Sequence, residues 1–131
     1  MANSWSYSRK LYPPFPIVQV RLFKPWDASG LSITENLQVD SGADVTGIPL
    51  AIIKRLKTRL LDDMGELYDF DGNWVENVPV YEMGMEILGV EFKSVKVYGL
   101  NSEIGFIGRD LLNNFLVTLD GPRRLSTFTY T

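Results

Sequence analysis

The sequence predicts a mainly β domain with one or two short helices. Three observations lead there: short apolar or alternating runs dominate the chain, turn signals such as Asp71-Gly72 and Leu88-Gly89 separate several of them, and a single long segment repeats its apolar residues at helical spacing. One domain is enough. A chain of 131 residues buries about two thirds of its unfolded surface, which suffices for an independent core. Apolar residues make up 45% and charged residues 22%, ordinary globular usage that excludes a disordered or fibrous chain.

Residues 1–15 are polar and aromatic and run into Pro13, Pro14 and Pro16, so they read as an arm or extended lead-in, with the folded domain spanning residues 16–131. IVQVRLF alternates as a strand, and ITENLQV follows a turn containing Ala28, Ser29 and Gly30; together they predict a hairpin. The segment LAIIKRLKTRLLDDM spaces Leu50, Ile53, Leu56, Leu60 and Met64 three and four apart, which predicts a helix over residues 50–64. Its basic cluster of Lys54, Arg55, Lys57 and Arg59 reads as a solvated helix face.

ELYDF and NWVENVPVYEM flank Asp71-Gly72 as a second hairpin, and MGMEI and VEFKSVKVYG flank Leu88-Gly89 as a third. IGFIG is a short apolar strand, RDLLNNF a helical turn or two, and LVTLDG a strand ending in a turn. The tail LSTFTYT sets Phe128 and Tyr130 on one face, as either an edge strand of the monomer or a strand in an interface. No repeat at solenoid spacing is visible.

Composition also limits function. Sixteen acidic residues against thirteen basic ones give a net charge of −3, so neither nucleic acid nor an anionic membrane is an expected partner. The chain contains no cysteine and no histidine, which excludes disulfides, thiolate nucleophiles, imidazole triads and the usual zinc sites. Acid–base chemistry near neutrality would then fall to carboxylates with displaced pKa values, to Lys or Tyr, or to a bound metal. The N-terminal residues have no apolar h-region, and no run approaches the roughly 18 apolar residues of a membrane span. A soluble, cytoplasmic protein is expected.

The stretch LQVDSGADVTGIP, residues 37–49, puts a carboxylate, Asp40, directly after an apolar strand and follows it with Ser41, Gly42 and Ala43. A D-[ST]-G-[AS] match arises by chance in roughly one chain in a hundred of this length, and a plain turn is the simplest account of it. The continuation raises its interest by adding a second carboxylate, Asp44, and a hydroxyl, Thr46. Far downstream, GFIGRDLL supplies Phe106, Ile107, Gly108 and Arg109 before an apolar helical start. Gly42 permits close approach of another backbone, and Gly108 permits a second segment to pack under the Asp40 turn.

These two motifs, in this order and separation, make the chain resemble the retropepsin-like aspartic proteases, the single-lobed relatives of retroviral protease. The resemblance covers residues 16–121. It implies a retropepsin-like acid protease fold, a closed β-rich monomer active as a symmetric homodimer, and an aspartic endopeptidase acting on polypeptide substrate. By the same resemblance Asp40 is the catalytic aspartate, and Ser41 locks the two active loops across the dimer axis. The Gly42 carbonyl takes a substrate hydrogen bond, Asp44 contacts the substrate main chain, and Arg109 pairs with Asp44. The hairpin at Asp71, Gly72 and Asn73 stands where the family carries its flap, with Trp74 beside it as a cover for bound peptide. Thr46 and Gly108, with Arg109, support the site. The tip DFDGNWVEN is acidic and holds one glycine, unlike the glycine-rich, apolar retroviral flaps.

Because DSG occurs once in the chain, a pair of catalytic aspartates requires a second copy. A non-catalytic dimerisation or peptide-binding module on the same fold is the alternative. A metal site of Asp40, Asp44 and Asp110 is weaker, because no calcium-loop spacing is present. No metal and no cofactor are expected.

Overall fold

The computed structural model describes residues 1–68 and 71–131. Its described elements are ten strands and two short helices. In chain order these are β1 (Ala2–Ser6), β2 (Ile17–Phe23), β3 (Ser32–Val39), β4 (Gly47–Pro49), α1 (Leu50–Leu56), β5 (Leu60–Tyr68) and β6 (Trp74–Ile87). β7 (Val90–Leu100), β8 (Phe106–Ile107), α2 (Arg109–Leu112), β9 (Leu116–Asp120) and β10 (Leu125–Thr129) complete the chain.

The larger sheet runs β2-β3-β8-β4-β7-β6-β5, and an additional β2–β6 pairing closes its first six strands into a barrel. Closure leaves few unpaired edges. Alternation in β2 explains its place: Val18, Val20 and Leu22 point inward and are buried, with Leu37, Ile48, Met83, Met85, Val97 and Ile107 around them. At the closing seam Arg21 pairs across to Glu86 at 3.2 Å, and this bond holds the guanidinium charged above its ordinary range.

The predicted hairpins at residues 17–39 and around Leu88-Gly89 form, the second through positive φ at both turn residues, 54° and 75°. The NWVENVPVYEM and MGMEI runs are one continuous strand, β6, irregular between Met83 and Met85. Around Asp71-Gly72, β5 and β6 pair antiparallel; residues 69 and 70 of the ELYDF run lie outside the described residues.

Two expectations need correction. The helix predicted over residues 50–64 stops at Leu56, where Lys57 takes a left-handed φ of 55° and its N–H caps the Ile53 carbonyl. From Leu60 the chain is strand, paired with β6. Ile52, Ile53 and Leu56 are buried against the barrel, but Leu60 and Met64 are 48% and 61% exposed. Pairing with the long β6 edge therefore overrides the helical spacing of residues 57–64.

The second correction concerns the tail. β10 is not an edge strand; it lies between β1 and β9 in a separate three-stranded sheet. Phe128 explains the order, because its ring is fully buried and meets the Trp5 ring edge-on at 5.8 Å and the Phe115 ring at 5.6 Å. The lead-in strand β1 thus covers one side of the tail. Replacing Trp5 by Ala uncovers part of Phe128 and is expected to cost about 2–3 kcal/mol, somewhat less than a fully buried Trp. Urea unfolding of the variant measures it.

Candidate active site

The strand order places the site. β8 lies between β3 and β4, parallel to the first and antiparallel to the second. The chain leaving β3 at Val39 must therefore cross over the end of β8 to enter β4 at Gly47, and the crossing segment is residues 40–46. Asp40 begins it. The Asp40 N–H donates to the Ile107 carbonyl at 3.1 Å, the Ala43 N–H closes a turn onto the Asp40 carbonyl at 3.2 Å, and the Gly42 N–H donates to Asp40 Oδ1 at 3.0 Å. The carboxylate is half-buried and oriented by its own turn.

Gly108 sits directly under this crossing. A Cβ there would lie 2.9 Å from the Val45 carbonyl carbon and 3.0 Å from the Ala43 oxygen, both backbone atoms that cannot swing away. Only glycine allows so close an approach. Beside it, the buried Thr46 hydroxyl donates to Asp110 Oδ1 at 2.8 Å and accepts from the Gly108 N–H at 3.0 Å, and the Thr46 N–H donates to Asp110 Oδ2 at 3.2 Å. The Arg109 N–H donates to the Ala43 carbonyl at 2.8 Å. Arg109 Nη1 donates to the Ser41 carbonyl, also at 2.8 Å. The loop is therefore bolted to the start of α2 from both sides.

Asp40, Gly42, Ala43 and Asp44 line a cleft of about 390 Å³. Glu66, Leu67 and Tyr68 of β5 and Val75 of β6 face it from the hairpin, with Val45, Tyr98 and Phe106 at its sides. The Tyr98 hydroxyl donates to the Glu66 carbonyl at 3.1 Å. Burial first, then the Asp44 and Glu66 charges, hold that hydroxyl protonated above the ordinary tyrosine range. Tyr68 donates to the Glu66 carboxylate, which likewise keeps its phenol protonated.

Of the residues singled out from sequence, Asp40, Gly42, Ala43 and Asp44 meet at the cleft, and Ser41, Thr46, Gly108 and Arg109 lie in the loop or its supports. Arg109 does not pair with Asp44; the described ion pairs are Arg21–Glu86, Arg59–Glu82 and Arg123–Asp120, and its guanidinium reaches the Ser41 carbonyl instead. Asp71, Gly72 and Asn73 stand at the hairpin turn, with Gly72 at φ +82°. Trp74 is 57% exposed, and its neighbour Val75 faces the cleft in its place. No group of three potential metal ligands occurs among the described residues, so Asp40, Asp44 and Asp110 do not gather as a cation site. Asp110 holds Thr46 instead.

Sequence reasoning missed Asp110 as a support and Glu66 and Tyr98 as cleft residues. Tyr98 had a signal in the alternation of β7, whose inner face meets β4: its N–H donates to the Thr46 carbonyl at 2.9 Å. Asp110 had none, because its partner is 64 residues away.

No protein-family model matches the chain, and no curated protein matches it in sequence. Solved structures do. It is similar to EIAV protease complexed with the inhibitor HBY-793, with a TM-score of 0.57 and 20% identity over 78% of this chain and 88% of that one. It is also similar to a retropepsin-like aspartic protease from Rickettsia conorii, with a TM-score of 0.61 and 17% identity over 99% of this chain and 91% of that one. In both, the likeness is one of architecture. That shared architecture is the retropepsin-like fold, and this chain has it.

Proposed function

We propose that the chain is an aspartic endopeptidase that works as a homodimer, with one Asp40 from each subunit forming the catalytic pair. The observation that carries this reading is the Asp40 carboxylate at the edge of a cleft, oriented by its own turn and held on a loop that Thr46, Gly108 and Arg109 brace. A structural turn has no need of such bracing around an acid that faces open space.

Peptide hydrolysis on this plan needs one carboxylate to take a proton from water while another, protonated, donates to the scissile carbonyl oxygen. One aspartate cannot do both. Two carboxylates about 3 Å apart at an effective dielectric of about 20 repel by roughly 5 kcal/mol, or about four pKa units. The pair therefore shares one proton over a broad pH range and titrates as a unit. This is the general behaviour of paired aspartates in aspartic proteases and is applied to this chain through its fold. The substrate lies as an extended strand between the Asp40 loop and the β5–β6 hairpin, which serves as the flap, with Gly42, Asp44 and the turn at Asp71–Trp74 as its contacts. Residues 16–131 form the protease domain, and the lead-in braces the tail sheet.

The test is digestion of a denatured-protein or peptide library from acidic to neutral pH, at several chain concentrations and with a mimic carrying a hydroxyl in place of the scissile carbonyl. Specific activity should rise with chain concentration as dimers form, and the mimic should block it. A stable dimer that cleaves nothing across that range would identify a binding module instead.

A further inference from the structure

A second concave surface stands apart from the Asp40 cleft. Between the β2–β3 loop, residues 24–31, and the end of α1 runs a groove of about 320 Å³, lined by Lys24, Asp27 and Leu31 from the loop and by Arg55, Leu56 and Lys57 from the helix end. It shares no residue with the cleft. The loop and Asp40 lie at opposite ends of β3, whose eight residues span about 25 Å, so an occupant of the groove leaves the cleft open.

The groove is basic on a chain whose net charge is −3. Three cations line it against a single carboxylate, and none of the three takes part in an ion pair among the described residues. Asp27 forms no such pair either; its carboxylate folds back against Gly30 of its own loop. Arg55 also answers the negative end of the α1 dipole, but Lys24 belongs to no helix and brings its charge from the loop wall. Between the cations the lining is apolar: Leu56 is almost fully buried, whereas Leu31, a large side chain, is left 67% exposed. The loop wall is set in advance. The Trp26 N–H donates to the Lys93 carbonyl at 3.0 Å, the Asp27 N–H to the Lys24 carbonyl at 3.0 Å and the Gly30 N–H to the Asp27 carbonyl at 3.1 Å. The Lys93 ammonium stands 5.4 Å over the Trp26 ring, so little ordering is left for a ligand to impose.

We propose that this groove docks an extended acidic segment of a partner protein, with an apolar side chain laid against Leu31 and Leu56 and carboxylates on either side of it meeting Lys24, Arg55 and Lys57. The size fits, because binding clefts begin at about 300 Å³. The spread of charge fits as well. Cations on long side chains along two walls suit carboxylates spaced along a chain, whereas a compact phosphate is held by converging backbone N–H groups, and the Lys57 N–H is already taken by the Ile53 carbonyl. A lipid surface would need Leu31 and the cations on a projecting face, and here they line a hollow. The contact needs no catalysis by Asp40. Beside an active cleft it would raise the local concentration of any substrate that carries the segment.

The probe is a fluorescein-labelled peptide of glutamates around a central leucine, with its glutamine counterpart as the neutral control, each titrated with the full chain by fluorescence anisotropy. At low salt the glutamate peptide should bind about tenfold more tightly or better, and the gap should close near 1 M salt, where the Debye length is about 3 Å. Lys24→Glu with Arg55→Glu should weaken it by about tenfold or more. Arg9→Glu with Lys10→Glu makes the same change in net charge on the lead-in and should shift affinity by about twofold or less. Leu31→Ser, at a position too exposed to matter for folding, should weaken the glutamate peptide by about threefold or more, and it decides the matter if the double reversal fails to fold. Equal affinity for the two peptides, binding of neither, or equal losses from the two charge reversals would overturn the acidic segment. So would a wild-type chain that ignores the peptide but sediments with phosphatidylserine vesicles, which would make the groove a lipid contact. None of these readouts involves cleavage, so each stands whatever the library digestion shows.

Discussion

Asp40→Asn is expected to abolish peptide cleavage, by about 10³–10⁴-fold or more, while leaving the fold and the dimer in place. The substitution is nearly isosteric, and the amide oxygen can still accept the Gly42 N–H that now donates to Oδ1 at 3.0 Å, so the turn keeps its shape. What it loses is chemistry. General acid–base transfer by one positioned group is worth about 10²–10⁴-fold, and in a symmetric dimer one substitution removes both the acid and the base. Asp40→Ala removes the same chemistry and also the acceptor of the Gly42 N–H, so it should unfold at slightly lower urea than the Asn variant. Steady-state cleavage of one quenched peptide, with urea unfolding run alongside, separates the two effects. Activity of the wild type should fall at both ends of the range over which the pair holds a single proton. An Asn variant that retained even a tenth of wild-type turnover would remove Asp40 from the reaction.

Local chemistry made much of the fold legible. The hairpin at Leu88-Gly89 follows from a turn needing positive φ at two positions, and β2 and β3 from alternation that one barrel face enforces. The helix was legible only to Leu56. Beyond it, Leu60 and Met64 keep helical spacing without being buried, and spacing alone cannot tell a covered leucine from an exposed one. β8 is two residues long, too short for any periodicity, and only the glycine and arginine that follow it marked the place. The order of the tail sheet was hidden because β1 and β10 lie at opposite ends of the chain, and nothing in either strand's residues names the other as its antiparallel partner. The Asp40 loop announced itself because its residue types are crowded into four positions, whereas its support is spread over two segments about 60 residues apart.

That support makes Thr46→Val the most informative stability variant. Valine has the shape of threonine, so the pocket stays filled, but two hydrogen bonds are lost at a fully buried position. The Gly108 N–H loses its acceptor at 3.0 Å, and an unsatisfied buried N–H costs about 1–3 kcal/mol. Asp110 loses the hydroxyl that donates to it at 2.8 Å, a bond to a charged group worth about 1.5–3 kcal/mol, although Asp110 is exposed and water recovers part of that. The backbone bond from the Thr46 N–H to Asp110 remains, and it limits how far the segments part. A net loss of about 2–4 kcal/mol is therefore expected, read as a lower urea midpoint with an unchanged m-value. Function should suffer beyond stability, because the same hydroxyl holds the end of β8 beneath residues 43–45 and so sets the height of Asp40. Thr46→Ser restores both hydrogen bonds while dropping one methyl group, and it should recover most of the turnover at a cost of about 1 kcal/mol. If valine and serine were equally active and equally stable, the hydroxyl bridge would carry no weight in the site. The loop would then have to be held by Arg109 and the Gly108 contact alone.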